Sequence, residues 1–259
     1  SLTHEITFIS APKNNLKNIN QVFIDCDIEI ERLISRTFAL GVKLLNQKEL
    51  EFGAAILDLG SEKISFGIFK NLALVHSITF PIGINHITKD ISKVCSLNLY
   101  ESENIRNNID FLFQNSQKIF DENDYLKKIY FIDSGFRKIS KNLILSVVKA
   151  RLDEIFDILK KQLIVPGFNL ASGINLLLAG GGSNLFNIEK CFINCFGSNV
   201  KKVDKNSSEK DRDLKENFAS CLGALEIIKD GWETEAIPEA VNQNIEKISF
   251  FAKIFKINR

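Results

Sequence analysis

Residues 53–80 read GAAILDLGSEKISFGIFKNLALVHSITF, and this stretch decides the fold class. Its first part is a buried apolar run that ends at Asp58-Leu59-Gly60. Residues 63–69 alternate around Gly67, and residues 73–80 form a third strand pattern. Three short strands joined by tight turns predict a meander. Because helical patterns lie on both sides of it, the chain as a whole is predicted to be α/β.

The hydrophobic spacing outside this meander predicts the remaining elements. A long amphipathic helix is expected at 140–163, with an apolar stripe that includes Ile144, Val148, Leu152, Ile155 and Leu159. In chain order, the other predictions are a strand at 5–10, a helix from Leu16, a second segment at 28–45, a helix at 85–99, a mixed stretch at 101–135 with a short strand near 129–132, a buried strand at 175–179, a strand at 198–203, an exposed loop at 201–216 and a short helix at 217–229.

Composition narrows the class of protein. The 259 residues are 45% hydrophobic and 25% charged, with a net charge of +1, so no global field attracts nucleic acid, and no nucleic-acid partner is expected. No stretch approaches the ~20 apolar residues of a membrane span, and no signal peptide is recognisable.

Five scattered cysteines predict a reducing cytoplasm, and three histidines without a C-x-x-C pair argue against zinc. Cys191 and Cys195 are interpreted as small buried thiols on one helix face.

Asp58-Leu59-Gly60-Ser61 lies where a buried strand turns into the next one. A carboxylate at a strand end can hold Mg²⁺ through water, and backbone N–H groups in a turn of small residues can hold phosphate oxygens. The same pattern also fits an ordinary hairpin, and on these residues alone the hairpin is the preferred interpretation.

Residues 176–179 run directly into Gly180-Gly181-Gly182, and a helix is predicted to begin near Ser183. Glycines allow a ligand to approach the backbone closely, and a helix N-terminus favours negative or polar groups. A plain strand-to-helix turn is the alternative. Because three consecutive glycines exceed what a turn requires, a ligand loop is predicted here.

Two further features have a functional and an ordinary interpretation. Glu103 and Arg106 share a helix face and could bracket one ligand, although from the residues alone a surface ion pair is preferred. The last segment, 245–259, places phenylalanines beside Lys and Arg, with a local charge of 4 − 1 = +3. This composition is typical of a helix that lies in a membrane interface, and the alternative is a terminal helix packed on its own domain.

Taken in order, these pieces resemble the FtsA family of actin-like proteins. Residues 53–69 look like that family's second phosphate loop, and 80–91 (FPIGINHITKDI) resemble its Gly-x-x-x-Ile-Thr-x-Asp-Ile stretch. Residues 102–106 (SENIR) resemble its adenosine-side motif, 150–155 (ARLDEI) its long helix, 178–185 (LAGGGSNL) its adenosine loop, and 219–224 the helix that returns to the first lobe. The family also ends in a tether and an amphipathic membrane helix.

The resemblance implies an actin-like (ribonuclease H-like) α/β fold, with one complete lobe and part of the other. It divides the chain into a partial first lobe (1–48), a second lobe (49–208) with a small subdomain (about 101–139), a returning helix (209–230), a tether (231–244) and a membrane-binding helix (245–259). Because the similarity starts midway through the family pattern and the chain opens on Ser1 without any Met, we expect upstream residues to be missing.

The resemblance also implies particular site residues. For ATP they are Asp58, Gly60, Ser61, Lys63, Glu103, Arg106, Gly180, Gly181, Gly182 and Asn184, with Asp58 near Mg²⁺. For the membrane they are Ile248, Phe250, Phe251, Lys253, Ile254, Phe255 and Lys256. No catalytic residue is assigned.

The phosphate turn departs from the family pattern Asp-x-Gly-Gly-Gly-Thr. Here it reads Asp58-Leu59-Gly60-Ser61-Glu62-Lys63, so a glycine has become an acid that would repel phosphate, and a threonine hydroxyl is missing. Lys63 could compensate. We therefore expect at most a weak ATPase.

The implied function is a cell division protein that anchors FtsZ to the cytoplasmic face of the bacterial inner membrane at the division site. Its partners would be FtsZ, which faces the small subdomain, further copies of the chain in a protofilament, anionic inner membrane and other division proteins. Two alternatives stay open. One is a pilus-assembly relative, which needs no terminal amphipathic helix. The other is a sugar or acetate kinase of the same superfold, which needs an intact phosphate turn.

Overall fold

A computed structural model describes residues 8–108, 124–162, 174–185, 187–197, 199–202 and 218–229. The chain divides into two compact units, one of residues 1–35 with 231–259 and one of residues 36–230. In the first unit, the described element is helix α1 (Lys13–Ile24), which begins three residues before the predicted start and buries none of its side chains. Residues 8–10, the described part of the first predicted strand, have no strand structure.

The second unit is built on a five-stranded mixed sheet. Its strands are β1 (Ala54–Leu59), β2 (Ile64–Lys70), β3 (Ala73–Phe80), β4 (Asn175–Ala179) and β5 (Val200–Lys202), in the spatial order β3-β2-β1-β4-β5. The meander β1-β2-β3 is antiparallel, whereas β4 is parallel to both β1 and β5. The strand predictions for 53–59, 63–69, 73–80 and 175–179 are thereby confirmed, and the strand predicted at 198–203 is confirmed for residues 200–202.

Helices lie on both faces of this sheet. The described helices of the second unit are α2 (Arg36–Leu44), α3 (Gln47–Phe52), α4 (Asn85–Cys95), α5 (Leu99–Asn108), α6 (Lys141–Gln162), α7 (Ile188–Phe196) and α8 (Ala219–Lys229). The main core lies on one face, between the alternate strand residues Ala55, Leu57 and Leu59 and the apolar sides of α4, α6 and α7. The predicted stripe of α6 supplies much of it, with Ile144, Val148 and Leu159 almost fully buried.

The opposite face of the sheet packs on α2. Gly41 of α2 lies against the Phe69 ring, and Gly67 of β2 lies against Thr37. Helix α8 packs on the outer side of α2, where Gly223 meets the Ala39 backbone so closely that a β-carbon could not be accommodated. Since Asp58 alternates with Leu57 and Leu59 along β1, its side chain lies on this α2 face.

Two sequence predictions are wrong in detail. No strand forms at 129–132; Lys128–Tyr130 is a short 3-10 helix, and the backbone N–H of Ile132 donates to the Glu101 carboxylate, not to a neighbouring strand. The helix expected near Ser183 begins at Ile188 instead, after a 3-10 turn at Gly181–Asn184. Asn187, with φ of 54°, separates the two because a left-handed residue cannot continue a right-handed helix.

The domain boundaries predicted from the sequence stay predictions. Residues 231–259, which include the predicted tether and membrane helix, lie outside the described residues, as do 203–217. In the described part of the chain, no helix combines the length and the apolar character needed to span a bilayer.

Candidate nucleotide site

The candidate site lies where β1 and β4 end side by side. The two strands are parallel and pair Asp58 with Ala179, so the turn after β1 and the glycines after β4 leave the sheet at the same edge. Ligands bind at this carboxyl edge in open α/β sheets. The structure therefore brings together the two segments that the sequence marked separately.

The glycine loop packs directly on the end of β1. Gly180 has φ of 79°, and a β-carbon there would overlap the Asp58 carboxylate. A β-carbon on Gly182 would lie 2.8 Å from the Leu59 carbonyl oxygen. Both positions consequently require glycine for the fold itself.

Gly181 is different from its neighbours. It is exposed, its φ is not in the left-handed region, and a β-carbon placed on it would have no heavy atom within 4 Å. The fold does not need a glycine there, so the open space over this residue is available to a ligand. The chain beyond it is fixed, since the hydroxyl of the buried Ser183 donates to the Gly180 carbonyl at 2.7 Å, while Asn184 is exposed.

The phosphate turn is attached to the N-terminal end of α4. The carbonyls of Gly60 and Ser61 accept from the backbone N–H groups of Ile84 and Asn85, at 3.0 and 2.8 Å. A β-carbon on Gly83 would overlap the Ser61 carbonyl, so close contact with α4 sets the shape of the turn. This contact explains part of the 80–91 motif, because its Gly-Ile-Asn sequence forms the support of the turn.

Glu62 is held by two neighbours rather than left free in the turn. Its carboxylate accepts from Asn85 at 2.6 Å and from Lys89 at 2.9 Å. The hydrogen bond from Asn85 and the one from Lys89 lower the Glu62 pKa. The acid therefore stays ionised, but Lys89 offsets its charge, and this reduces the phosphate repulsion expected from the sequence. Lys63 is exposed at the end of the same turn.

Three of the sequence motifs, at 80–91, 102–106 and 150–155, contact one another through α4. Arg151 donates to both oxygens of Asp90, at 2.5 and 2.9 Å, so α6 is joined to α4 by a bidentate pair, and the hydrogen bond to Asp90 raises the Arg151 pKa. Arg106 donates to the Thr88 hydroxyl at 2.7 Å and joins α5 to the same helix. The sequence singled out these stretches, and their spacing gave no indication that they contact one another.

Glu103 and Arg106 form the ion pair that the sequence allowed, with an N–O distance of 3.0 Å. Burial lowers the Arg106 pKa, and Glu103 offsets part of this effect. The partners of Arg106 are Glu103, Asn107 and Thr88, all on α5 or α4. The position predicted for Glu103 and Arg106, across adenosine from the glycine loop, stays a prediction.

Arg36 is a member of the site that the sequence analysis missed. It is the first residue of α2, and its guanidinium donates to both oxygens of Asp58, Nε at 2.6 Å and Nη2 at 3.3 Å. The Asp58 side chain is 5% exposed and that of Arg36 61%. Asp58 therefore already has a cation on it, which does not fit a magnesium ion bound directly to this carboxylate. No sequence pattern indicates this pair, because the partners are 22 residues apart.

Glu101 is a second residue that the sequence analysis missed. It is fully buried, and its carboxylate accepts from the backbone N–H groups of Ile132, Asp133 and Ser134 at 2.7–2.9 Å and from the Ser134 hydroxyl at 2.6 Å. Burial alone would raise its pKa. The hydrogen bonds outweigh burial and lower the pKa from 4.5 to about 2. Glu101 thus fixes residues 132–134 to α5.

We expect Glu101→Gln to destabilise the protein by about 2–4 kcal/mol at neutral pH, because an amide cannot serve all these donors. Since the folded-state pKa is depressed, the contribution of Glu101 is complete above pH 4.5 and is lost as pH falls towards 2. Urea unfolding across this range should show a flatter pH dependence in the variant. Glu103→Gln, on an exposed side chain of the same helix, should change little; equal losses would contradict the assignment.

The two cysteines of α7, Cys191 and Cys195, are partly buried. Burial raises the pKa of Cys191 to about 12 and also raises that of Cys195, so both are thiols at neutral pH. In the ranges that the structure describes, no group of three or more His, Cys, Asp or Glu side chains could hold a metal ion.

Comparison with known proteins supports the same family as the motifs. Residues 55–223 match the family described as Cell division protein FtsA. FtsA of Agrobacterium fabrum is 23% identical over 74% of this chain and 44% of its own length, and FtsA of Buchnera aphidicola is 23% identical over 97% and 60%. The chain thus spans about half the length of these relatives.

Similar solved structures are actin-like. MreB5 of Spiroplasma citri bound to AMPPNP has a TM-score of 0.63 at 19% identity, covering 87% of this chain and 68% of that one. A MamK filament gives 0.59 at 16% identity, covering 84% and 65%. The PilM–PilN type IV pilus biogenesis complex gives 0.57 at 17% identity, covering 80% and 56%. At such identities the likeness shows the fold alone, and it confirms the actin-like α/β architecture.

Proposed function

Because this chain belongs to the FtsA family of cell division proteins, we propose that it links FtsZ to the cytoplasmic face of the inner membrane at the division site. It binds ATP, assembles with further copies of itself and works with other division proteins. The family match over residues 55–223 carries this proposal, since that range holds both the phosphate turn and the glycine loop.

Nucleotide binding has support from the geometry of the sheet edge. The phosphate turn, with Asp58, Gly60, Ser61 and Lys63, lies beside the Gly180–Gly182 loop, and Gly181 leaves open space. Gly180, Gly181, Gly182 and Asn184 would lie against adenosine, with Glu103 and Arg106 on the other side. A bound ATP would supply the phosphate charge that such backbone amides favour. MreB5, with a similar fold, was solved with AMPPNP and with ADP.

FtsZ would dock on the predicted small subdomain. Ile129, Ile132 and Phe136 are 74%, 54% and 53% exposed there, and Glu101 holds the segment between them in place. Exposed apolar side chains on a fixed segment are typical of a protein-binding surface. We propose that these three residues contact FtsZ.

Recruitment of FtsZ to vesicles tests this function directly. With anionic vesicles, FtsZ should float only when this chain is present. Ile129→Asp with Ile132→Asp should reduce co-flotation about tenfold or more, because buried contact residues of an interface commonly contribute over 1 kcal/mol each. The matched control is Leu72→Asp with Val75→Asp, which changes two exposed side chains on the β2–β3 hairpin. Equal FtsZ recovery with all three proteins would overturn the docking surface, and no recovery with the wild type would overturn the linking role.

A further inference from the structure

The Asp58 carboxylate lies at the point where the phosphate turn begins, and it is already neutralised from within the chain. Both its oxygens accept from Arg36, and Gly180 covers it closely on the side of the glycine loop. An ionised carboxylate buried to this extent needs a cation or several donors to be stable. In this protein a guanidinium meets that need.

The guanidinium also has capacity left for a ligand. Arg36 uses Nε and Nη2 on Asp58, and its other N–H donors belong to a side chain that is 61% exposed. Arginine carries a permanent charge in a planar fork that suits carboxylate on one edge and phosphate on another. A single Arg36 could therefore join Asp58 to a phosphate oxygen.

We propose that Arg36 is the resident cation of the phosphate turn. Its guanidinium takes the place of a divalent metal ion at Asp58, and phosphates bind to it without Mg²⁺. The second half of this statement rests on the ATP binding proposed above, whereas the first half does not.

A purely structural role of the Arg36–Asp58 ion pair leads to a different expectation. If the pair only stabilises α2 against β1, then removal of Arg36 lowers stability and no metal ion restores it. If Arg36 stands in for a metal ion, removal leaves a buried carboxylate that Mg²⁺ can occupy. The response of the melting temperature to Mg²⁺ separates the two, because a ligand of the folded state raises that temperature.

The first experiment measures melting temperatures without nucleotide, in millimolar MgCl₂ and in NaCl of equal ionic strength. We expect Mg²⁺ to raise the melting temperature of Arg36→Gln by about 3 °C, and to leave the wild type and Arg36→Gln with Asp58→Asn unchanged. The matched control is Arg32→Gln, an exposed arginine four residues earlier. Should Arg36→Gln not fold, Arg36→Lys keeps the charge and should show a smaller gain. No Mg²⁺ gain in either variant, or an equal gain in the wild type, overturns the proposal.

The second experiment measures ATP affinity in EDTA and in Mg²⁺. The wild-type affinity should differ by less than about twofold between the two media, and Arg36→Gln should bind about tenfold more weakly in EDTA, with recovery in Mg²⁺. A wild-type affinity that requires Mg²⁺ overturns the metal-independent binding. If the wild type binds no ATP in either medium, the proposed nucleotide function fails. The melting experiment still decides whether Arg36 takes the place of a metal ion at Asp58.

Discussion

Gly181→Val should abolish ATP binding while the protein stays folded. A β-carbon at this position meets no heavy atom within 4 Å, and the backbone is not left-handed, so we expect the protein without ligand to accept valine. The same space is where we propose that adenosine lies. The isopropyl group would fill it, and we expect affinity to fall about 100-fold or more because the ligand can no longer reach the backbone.

The measurement is a titration with ATP followed by calorimetry, together with the melting temperature of each variant. Gly135→Val is the matched control, since Gly135 also lies in a described loop with no heavy atom within 4 Å of an added β-carbon. Both variants should melt within about 2 °C of the wild type, because surface substitutions usually change stability by less than 0.5 kcal/mol. Unchanged ATP affinity in Gly181→Val would contradict the assigned loop.

Gly180→Val gives a contrast at the next residue. Gly180 has φ of 79° and its β-carbon would overlap the Asp58 carboxylate, so this substitution should unfold the domain rather than block a ligand. Neighbouring glycines in one motif therefore have different reasons to be glycine. The sequence shows only that three glycines occur together, and the structure is needed to separate Gly181, which the fold does not require to be glycine, from its two neighbours, which the fold does require.

Hydrophobic periodicity explains why most elements could be predicted. β1 is buried along its whole length and reads as a continuous apolar run, and α6 repeats its apolar residues at helical spacing. In both elements the buried positions hold apolar residues, so the pattern of burial can be read from the sequence. The strands of the meander and the helix at 141–162 were consequently placed to within one residue at most ends.

The wrong strand prediction at 129–132 concerns a polar contact between distant residues. The backbone of residues 132–134 is bound by Glu101, about thirty positions earlier, and this contact keeps an apolar segment out of the sheet. In the same way, Glu62 is balanced by Lys89 and Asp58 by Arg36. Because one carboxylate has many possible partners along the chain, spacing does not reveal which cation the fold brings to it.

The site was therefore only partly predictable. The phosphate turn and the glycine loop are continuous stretches with unusual residues, and the family resemblance assigned them in order. In the fold, the two stretches lie at one sheet edge. Arg36 could not be found this way, since a helix that begins with Arg is unremarkable until the end of β1 is placed beside it.

Phe251→Glu with Phe255→Glu should release the protein from anionic membranes. These residues belong to the predicted interfacial helix, 245–259, whose apolar face also holds Ile248, Phe250 and Ile254. Burial of a phenylalanine at an interface contributes up to ~1.5–3 kcal/mol, so loss of two should weaken binding about 100-fold or more. Fifteen residues are marginal for an isolated helix in water, and we therefore expect the segment to become helical only on the membrane.

Co-sedimentation with anionic vesicles at low and high salt measures this effect. Lys247, Lys253, Lys256 and Arg259 should make wild-type binding sensitive to salt, since each basic residue near an anionic leaflet contributes about 1 kcal/mol. The matched control is Phe8→Glu with Phe52→Glu, which makes the same change of charge on two phenylalanines that are 80% and 74% exposed. If this control is lost from membranes to the same extent as the terminal variant, general charge repulsion explains the release. If both variants pellet like the wild type, 245–259 is not the anchor, and the helix belongs to the folded domain.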